Sequence, residues 1–122
     1  MTVPDQPWSP SDATNYIREI ARHPTFSLAY KLHAKERMAE RNLITSDILY
    51  VLKNGSVYQD ASCARAAGHF KYEIECSTPN SGGRSIRLVA IPDYALKKIK
   101  LITDMWVDET DTRSGTILED NQ

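Results

Sequence analysis

The chain has 122 residues, enough for one ordinary domain, and its composition of 41% hydrophobic and 25% charged residues is typical of a globular protein. This composition excludes a disordered chain, a fibrous repeat and a disulfide-dense mini-protein. No apolar run approaches the roughly 18 residues of a membrane helix, and the N-terminal segment lacks the basic start and apolar stretch of a signal peptide. We therefore expect a cytoplasmic protein that makes no contact with a membrane.

The net charge of −1 conceals an asymmetry along the chain. Residues 31–100 carry 12 Lys or Arg against 7 Asp or Glu, whereas residues 101–122 carry 1 basic and 6 acidic side chains. A basic body with an acidic tail suits a polyanionic ligand, with the tail competing for the same surface. A solvated C-terminus without a role explains the same charges.

Helices are predicted mainly in the first half of the chain and strands in the second. Apolar residues recur at helical spacing in the first half, and the period changes to two after Gly55. We expect Ser9 to cap the first helix and either Thr45 or Ser46 to cap the third, and the second is predicted from about His33 to Arg41. The three helices stop at His23, Asn42 and Gly55. The predicted strands cover residues 26–32, 56–60, 69–77, 84–91 and 98–106.

Short turns between the last three strands predict an antiparallel meander. The fold class is therefore α+β, with helices packed on one face of an antiparallel β-meander. The other face of the sheet is where a ligand or partner would bind.

The second helix carries three basic side chains spaced four residues apart. His33, Arg37 and Arg41 project from nearly one face, whereas Ala34 and Met38 face the sheet. Arginine offers phosphate a fork of donors and histidine transfers protons near neutral pH, so this row suits phosphate chemistry. The alternative is a solvent-exposed helix face on which ion pairs contribute little.

Further basic side chains lie on the predicted strands. Lys71 belongs to the first long strand, and Arg84 and Arg87 belong to the second. On one concave sheet face such residues would hold an RNA backbone and stabilise a crowded phosphorane. The ordinary alternation of inward apolar and outward polar residues explains the same pattern.

Other kinds of site are poorly supported. The chain has no Gly-rich phosphate loop, no H-E-x-x-H and no G-x-S-x-G, and its two cysteines fit no zinc pattern. We expect Cys63 and Cys76 to be free thiols, with Cys76 packed as a small apolar side chain. We expect neither a metal nor a cofactor.

Several motifs follow one another in a distinctive order: H-A-x-x-R-M-x-x-R from His33, then S-D-I-L-x-V-L-x-N-G, F-K-Y-E-I-E, R-S-I-R-L-V-A and I-T-D-M-W. This order resembles a bacterial family of domains of unknown function that is related to BrnT and, more distantly, to the RelE/ParE toxin superfamily. The resemblance covers residues 28–107. It leaves an N-terminal extension with one helix (1–27) and an acidic tail (108–122).

The resemblance implies a RelE/BrnT-like toxin domain of a type II toxin–antitoxin system. Such a domain is an mRNA interferase-like endoribonuclease that cleaves RNA without a metal, free or on the ribosome, and a cognate antitoxin protein silences it. His33, Arg37 and Arg41 match the polar signature of the family, and Arg87 matches a basic strand position. In this hypothesis His33 is the general acid or base for attack of the ribose 2′-hydroxyl, and the three arginines bind the phosphate.

The RNA-binding residues of this hypothesis are Lys35, Lys71, Arg84 and Trp106. Trp106 stands where members of the family usually have Tyr, and its indole ring has no ionisable hydroxyl. The alternative is a non-catalytic module of the same fold that binds nucleic acid or protein.

Overall fold

The structure is a computed structural model that describes residues 3–108. Three helices and six strands within this range confirm the α+β fold class. In chain order they are α1 (Pro10–Arg22), β1 (Ser27–Tyr30), α2 (Leu32–Arg41), α3 (Thr45–Asn54), β2 (Ser56–Val57), β3 (Ser62–Cys63), β4 (Phe70–Ser77), β5 (Ser85–Asp93) and β6 (Lys98–Trp106). The predicted acidic tail lies outside the described residues, apart from Asp108. Within the described range, none of the helices combines the length and the apolar character needed to cross a membrane.

Capping and proline chemistry set both ends of α1. The Ser9 hydroxyl oxygen accepts a hydrogen bond from the backbone N–H of Asp12 at 3.2 Å, and Pro10 occupies the first helical position. The helix ends before His23, which adopts an extended backbone ahead of Pro24. The predicted limits of this helix are confirmed.

Helix α2 ends at Asn42, whose left-handed backbone (φ 60°) confirms the predicted stop. The predicted cap of α3 at Thr45 or Ser46 is wrong. Ile44 is the N-cap residue, and the Asp47 carboxylate accepts a hydrogen bond from its backbone N–H at 3.1 Å. A carboxylate one turn into the helix therefore satisfies a backbone N–H at the helix start.

Two predicted strands are shorter in the structure. The strand predicted over 26–32 contracts to β1 because Leu32 already belongs to α2, and the strand predicted over 56–60 contracts to β2. His69 and Arg84, predicted as the first residues of strands, directly precede β4 and β5. The short strand β3 lies in a segment predicted as loop.

The strands pair in the order β1-β6-β5-β4-β2, and β3 also pairs with β4. Strands β4, β5 and β6 are antiparallel neighbours, which confirms the predicted meander. Strand β1 adds a parallel pairing with β6, from Ser27 opposite Lys98 to Tyr30 opposite Leu101, so the sheet is mixed. A parallel pair needs a long crossover, and the chain between these two strands supplies it.

The helices cover one face of the sheet and enclose the core. Every second residue of β4, β5 and the start of β6 is buried beneath them. The fully buried apolar side chains of these strands are Tyr72, Ile74, Ile86, Leu88, Ala90, Ile99 and Leu101. Their helical counterparts are Ala13, Ile17, Ile20, Ala34, Ile48, Val51 and Leu52. The intervening strand residues lie on the opposite, open face.

The N-terminal extension shares this core. Helix α1 contributes Ile17 and Ile20, and the indole of Trp8, 4% exposed, stacks on the Tyr72 ring with 5.4 Å between centroids. The backbone N–H of Trp8 donates a hydrogen bond to the Tyr72 hydroxyl at 2.8 Å, and burial raises the pKa of that hydroxyl. The described part of the segment 1–27 is therefore packed into the same core as the rest of the fold.

Candidate functional site

The open face of the sheet carries a groove of about 710 Å³. We call it the cationic groove because of the basic side chains that line it, which are Lys31, Arg65, His69, Lys71, Lys98 and Lys100. Three larger apolar side chains also line it, Ile91, Leu96 and Ile102, and its acidic lining residue is Asp93. The groove combines a concave shape with an excess of positive charge.

Strand β6 places two of these lysines. Lys98 and Lys100 are exposed, whereas Ile99 and Leu101, with which they alternate, are fully buried on the helix-covered face. Lys100 lies opposite Ile91 of β5. The alternation that builds the core therefore directs both ammonium groups to the open face.

A tight hairpin between β3 and β4 positions His69. The backbone N–H of Ala64 donates to the His69 carbonyl, and the backbone N–H of His69 donates to the Ala66 carbonyl, both at 3.1 Å. The ring of Phe70 packs against the core, so its neighbours His69 and Lys71 lie on the open face. Hydrogen bonds at both the N–H and the carbonyl group of His69 therefore fix the backbone that carries the imidazole.

The positive charge of the groove is not neutralised within the described part of the chain. The five lysine and arginine side chains that line it form no salt bridge with any residue between 3 and 108. Asp93 accepts a hydrogen bond from the backbone N–H of Leu96 at 3.1 Å. Clustered like charges in a cleft raise the local potential and attract anions. The groove is therefore suited to phosphate groups.

The predicted catalytic row lies on the surface of α2. The Arg37 Nε–H donates to His33 Nε2 at 3.3 Å, and its Nη1 pairs with Glu40 at 2.7 Å. A hydrogen bond in this direction requires an unprotonated His33 Nε2. His33 is exposed and lines neither the cationic groove nor the second cavity described next.

A second cavity, of about 570 Å³, lies between the α2–α3 turn and the β4–β5 turn; we call it the turn cavity. It brings together Arg41, Arg84 and Trp106. The Arg84 guanidinium carbon is 4.0 Å from the centroid of the Trp106 ring, a cation–π contact. Glu40 and Asp47 line the same cavity, so two carboxylates accompany its two guanidinium groups. The turn cavity is electrically balanced, unlike the cationic groove.

Arg84→Ala should raise the pKa of Asp108. The Arg84 guanidinium donates hydrogen bonds of 2.8 and 2.9 Å to this carboxylate and holds its pKa below the usual value. A lowered folded-state pKa stabilises the fold above the unfolded pKa, and this contribution is lost as the pH falls through the folded pKa. An NMR titration of the carboxyl carbon checks the shift, with Arg37→Ala as control. An unchanged Asp108 pKa in the Arg84 variant would contradict the assignment.

The structure places Arg87 away from α2. Arg87 alternates with Ile86 and Leu88, which are fully buried, so its side chain lies on the open face. Its Nε pairs with Glu75 at 2.8 Å and with Glu73 at 3.7 Å. Arg87 is therefore engaged in an ion triad and is not brought to the histidine of α2.

The predicted RNA-binding residues fall on different surfaces. Lys71 lines the cationic groove, whereas Arg84 and Trp106 line the turn cavity. Lys35 lies on α2, with its ammonium group 5.8 Å from the centroid of the Tyr30 ring. Lys71 alone among the four belongs to the groove.

Most of the groove is absent from the sequence-based prediction, which missed Lys31, Arg65, His69, Lys98 and Lys100 as site residues. The pattern Lys98-Ile99-Lys100 was the available signal, because it puts two cations on one side of a half-buried strand. Lys31 follows β1 and reaches the groove because β1 pairs with β6. Local sequence patterns do not predict this long-range pairing.

Both cysteines are free thiols, as predicted. Cys63 is exposed, whereas Cys76 is half-buried and packs against the core. Burial raises the pKa of the Cys76 thiol. Among residues 3–108, no three His, Cys, Asp or Glu side chains cluster in an arrangement that would hold a metal ion.

Comparisons with known proteins bear on the region that contains both cavities. A family model described as "Domain of unknown function (DUF4258)" matches residues 30–106. All residues that line the cationic groove and the turn cavity fall within this match. Neither the curated proteins nor the solved structures contain a match to the chain. Because the family model covers more than half of the sequence, the chain belongs to the DUF4258 family.

Proposed function

We propose that the protein binds RNA in the cationic groove and cleaves it without a metal, as a toxin-like endoribonuclease of a type II toxin–antitoxin system. The observation that carries the proposal is the set of five lysine and arginine side chains along one concave surface, without salt bridges to other described residues. The motif order that resembles the BrnT and RelE/ParE families supports RNA as the polyanion. A cognate antitoxin protein is the proposed partner that silences the activity.

The chemistry of the groove supports contact with the sugar–phosphate backbone. Ammonium and guanidinium groups stabilise both a bound phosphate and the additional negative charge that develops on it during cleavage. Among residues 3–108, no Phe, Tyr or Trp lines the groove, so base stacking by these residues would contribute little to binding. The apolar lining residues offer surface to the ribose ring. Binding would therefore depend mainly on charge.

A non-catalytic nucleic-acid-binding module is the second candidate function. The position of His33 favours it, because this residue is exposed, contacts Arg37 and lines neither cavity. A general base must be able to reach the proton that it removes. If no histidine acts on bound RNA, the groove still binds RNA and releases it unchanged.

Fluorescence anisotropy with a labelled single-stranded RNA tests the binding step. We expect the logarithm of affinity to fall with the logarithm of salt concentration with a slope of about −3, as four to five phosphate contacts would give. A parallel incubation in EDTA, analysed on a denaturing gel, should yield RNA fragments. DNA of the same sequence is the control for cleavage, since it lacks the 2′-hydroxyl. Salt-independent binding would contradict the groove, and binding without cleavage would establish the second candidate.

A further inference from the structure

We infer that His69 is the proton-transfer residue of the cationic groove. The inference rests on the proposed endoribonuclease function and names the side chain that would carry its chemical step. His69 is half-buried and lines the groove.

The three histidines of the chain differ in what their rings contact. His23 Nδ1 accepts a hydrogen bond from the backbone N–H of Thr25 at 3.1 Å, and His33 Nε2 accepts one from Arg37 at 3.3 Å. The His69 ring makes no hydrogen bond with any residue between 3 and 108. Its two ring nitrogens are therefore available to a ligand in the groove.

The backbone around His69 places the imidazole beside a phosphate-binding group. His69 and Lys71 flank Phe70 and lie on the same face of the sheet, so their Cα atoms are about 6.6 Å apart. A phosphate held by the Lys71 ammonium therefore lies within reach of the imidazole. The two backbone hydrogen bonds of His69, with Ala64 and Ala66, hold its backbone against the segment that follows β3. This geometry is pre-organised for general base catalysis.

The step assigned to His69 needs no metal and no redox partner. The imidazole removes the proton of a ribose 2′-hydroxyl, and the 2′ oxygen forms a bond to the adjacent phosphorus. The bond from phosphorus to the 5′ oxygen then breaks, and solvent water protonates this leaving oxygen. The products are a 2′,3′-cyclic phosphate and a 5′-hydroxyl end. The surrounding cations, Lys71 among them, stabilise the negative charge of the phosphorane.

The test compares His69→Gln and His69→Ala with His33→Ala in the full chain. General base catalysis accounts for about 10²–10⁴-fold in rate, so both His69 variants should lose at least about 100-fold in kcat. The dissociation constant for the labelled RNA, measured by anisotropy, should stay within about twofold, because the cations remain. His33→Ala tests the competing assignment, because this variant loses the rate, and the His69 variants keep it, only if His33 is the base. Thermal melts of all three variants verify that they fold. If His69→Ala does not fold, His69→Gln still tests the role of the imidazole, because Gln keeps a polar side chain at this half-buried position.

The possible results show whether the role of His69 fails alone or together with the proposed endoribonuclease function. If both His69 variants cleave at the wild-type rate, the inference is wrong while the endoribonuclease function stands. The inference is equally overturned if the loss lies in RNA affinity and kcat is unchanged, or if His33→Ala loses activity and the His69 variants keep it. If the wild-type protein binds RNA and leaves it intact, the endoribonuclease function fails and the role of His69 fails with it.

Discussion

Lys98→Glu combined with Lys100→Glu should weaken RNA binding by about 100-fold or more at low salt. Both side chains are exposed on β6 and line the cationic groove, and both alternate with buried residues that hold the strand in place. Each reversal removes one phosphate contact and introduces repulsion at the same position. The salt slope should become shallower by about 1.4, because two contacts of a single strand are lost. Anisotropy titrations between low and physiological salt measure both quantities.

The matched control for this variant is Lys35→Glu combined with Lys53→Glu. It changes the net charge by the same amount, but neither lysine lines the groove. We expect the control to lose much less affinity than the groove variant at the same salt concentration, since neither of its lysines lines the surface that would contact the RNA. Equal losses in the two double variants would show that total charge, and not the groove, governs binding.

Trp8→Ala should reduce the free energy of unfolding by about 3–5 kcal/mol. The Trp8 ring is 4% exposed and contacts Tyr16, Tyr72 and Tyr94, with centroid distances of 4.9, 5.4 and 6.5 Å. Truncation leaves a cavity between α1 and the sheet and removes these ring contacts. Because domains are stable by only about 5–15 kcal/mol, this loss is a large share of the total. Urea denaturation followed by circular dichroism measures it.

Tyr58→Ala is the control for the tryptophan variant. Tyr58 is 70% exposed, and truncation at such a position changes stability by about 0.5 kcal/mol or less. The comparison matters because Trp8 and α1 precede residues 30–106, which the family model matches. If Trp8→Ala is as stable as Tyr58→Ala, the extension is not part of the cooperative unit.

Local chemistry predicted most of the secondary structure correctly. The Ser9 cap, the proline after His23 and the left-handed Asn42 each act within a few residues, so the sequence alone is sufficient to place these ends. The cap of α3 was misassigned because a hydroxyl side chain was expected at the N-cap, whereas the helix start is stabilised from inside the helix, by the Asp47 carboxylate that accepts from the backbone N–H of Ile44. Asp47 also accepts a hydrogen bond from the Thr78 hydroxyl at 2.8 Å, a contact 31 residues away that no local pattern reveals.

The candidate site was harder to predict than the fold. Spacing along one helix indicated that His33 and Arg37 are neighbours, and the 3.3 Å contact between them confirms this. Spacing carries no information about what faces a helix from elsewhere in the chain. Because strand residues alternate between the two faces, Arg87 lies on the open face of the sheet, which α2 does not cover, and pairs there with Glu73 and Glu75. A cavity needs walls from several elements, and these are fixed only by strand pairing.

The parallel pairing of β1 with β6 has a consequence for biosynthesis. The two strands are separated by 67 residues, from Tyr30 to Lys98, so the sheet has a high contact order and its closure costs loop entropy late in folding. Synthesis proceeds from the N-terminus, and Lys31 is therefore made long before Lys98 and Lys100. The groove is therefore complete only after β6 has been synthesised and has paired with β1. A chain that ends before β6 lacks Lys98 and Lys100 and therefore cannot form this surface.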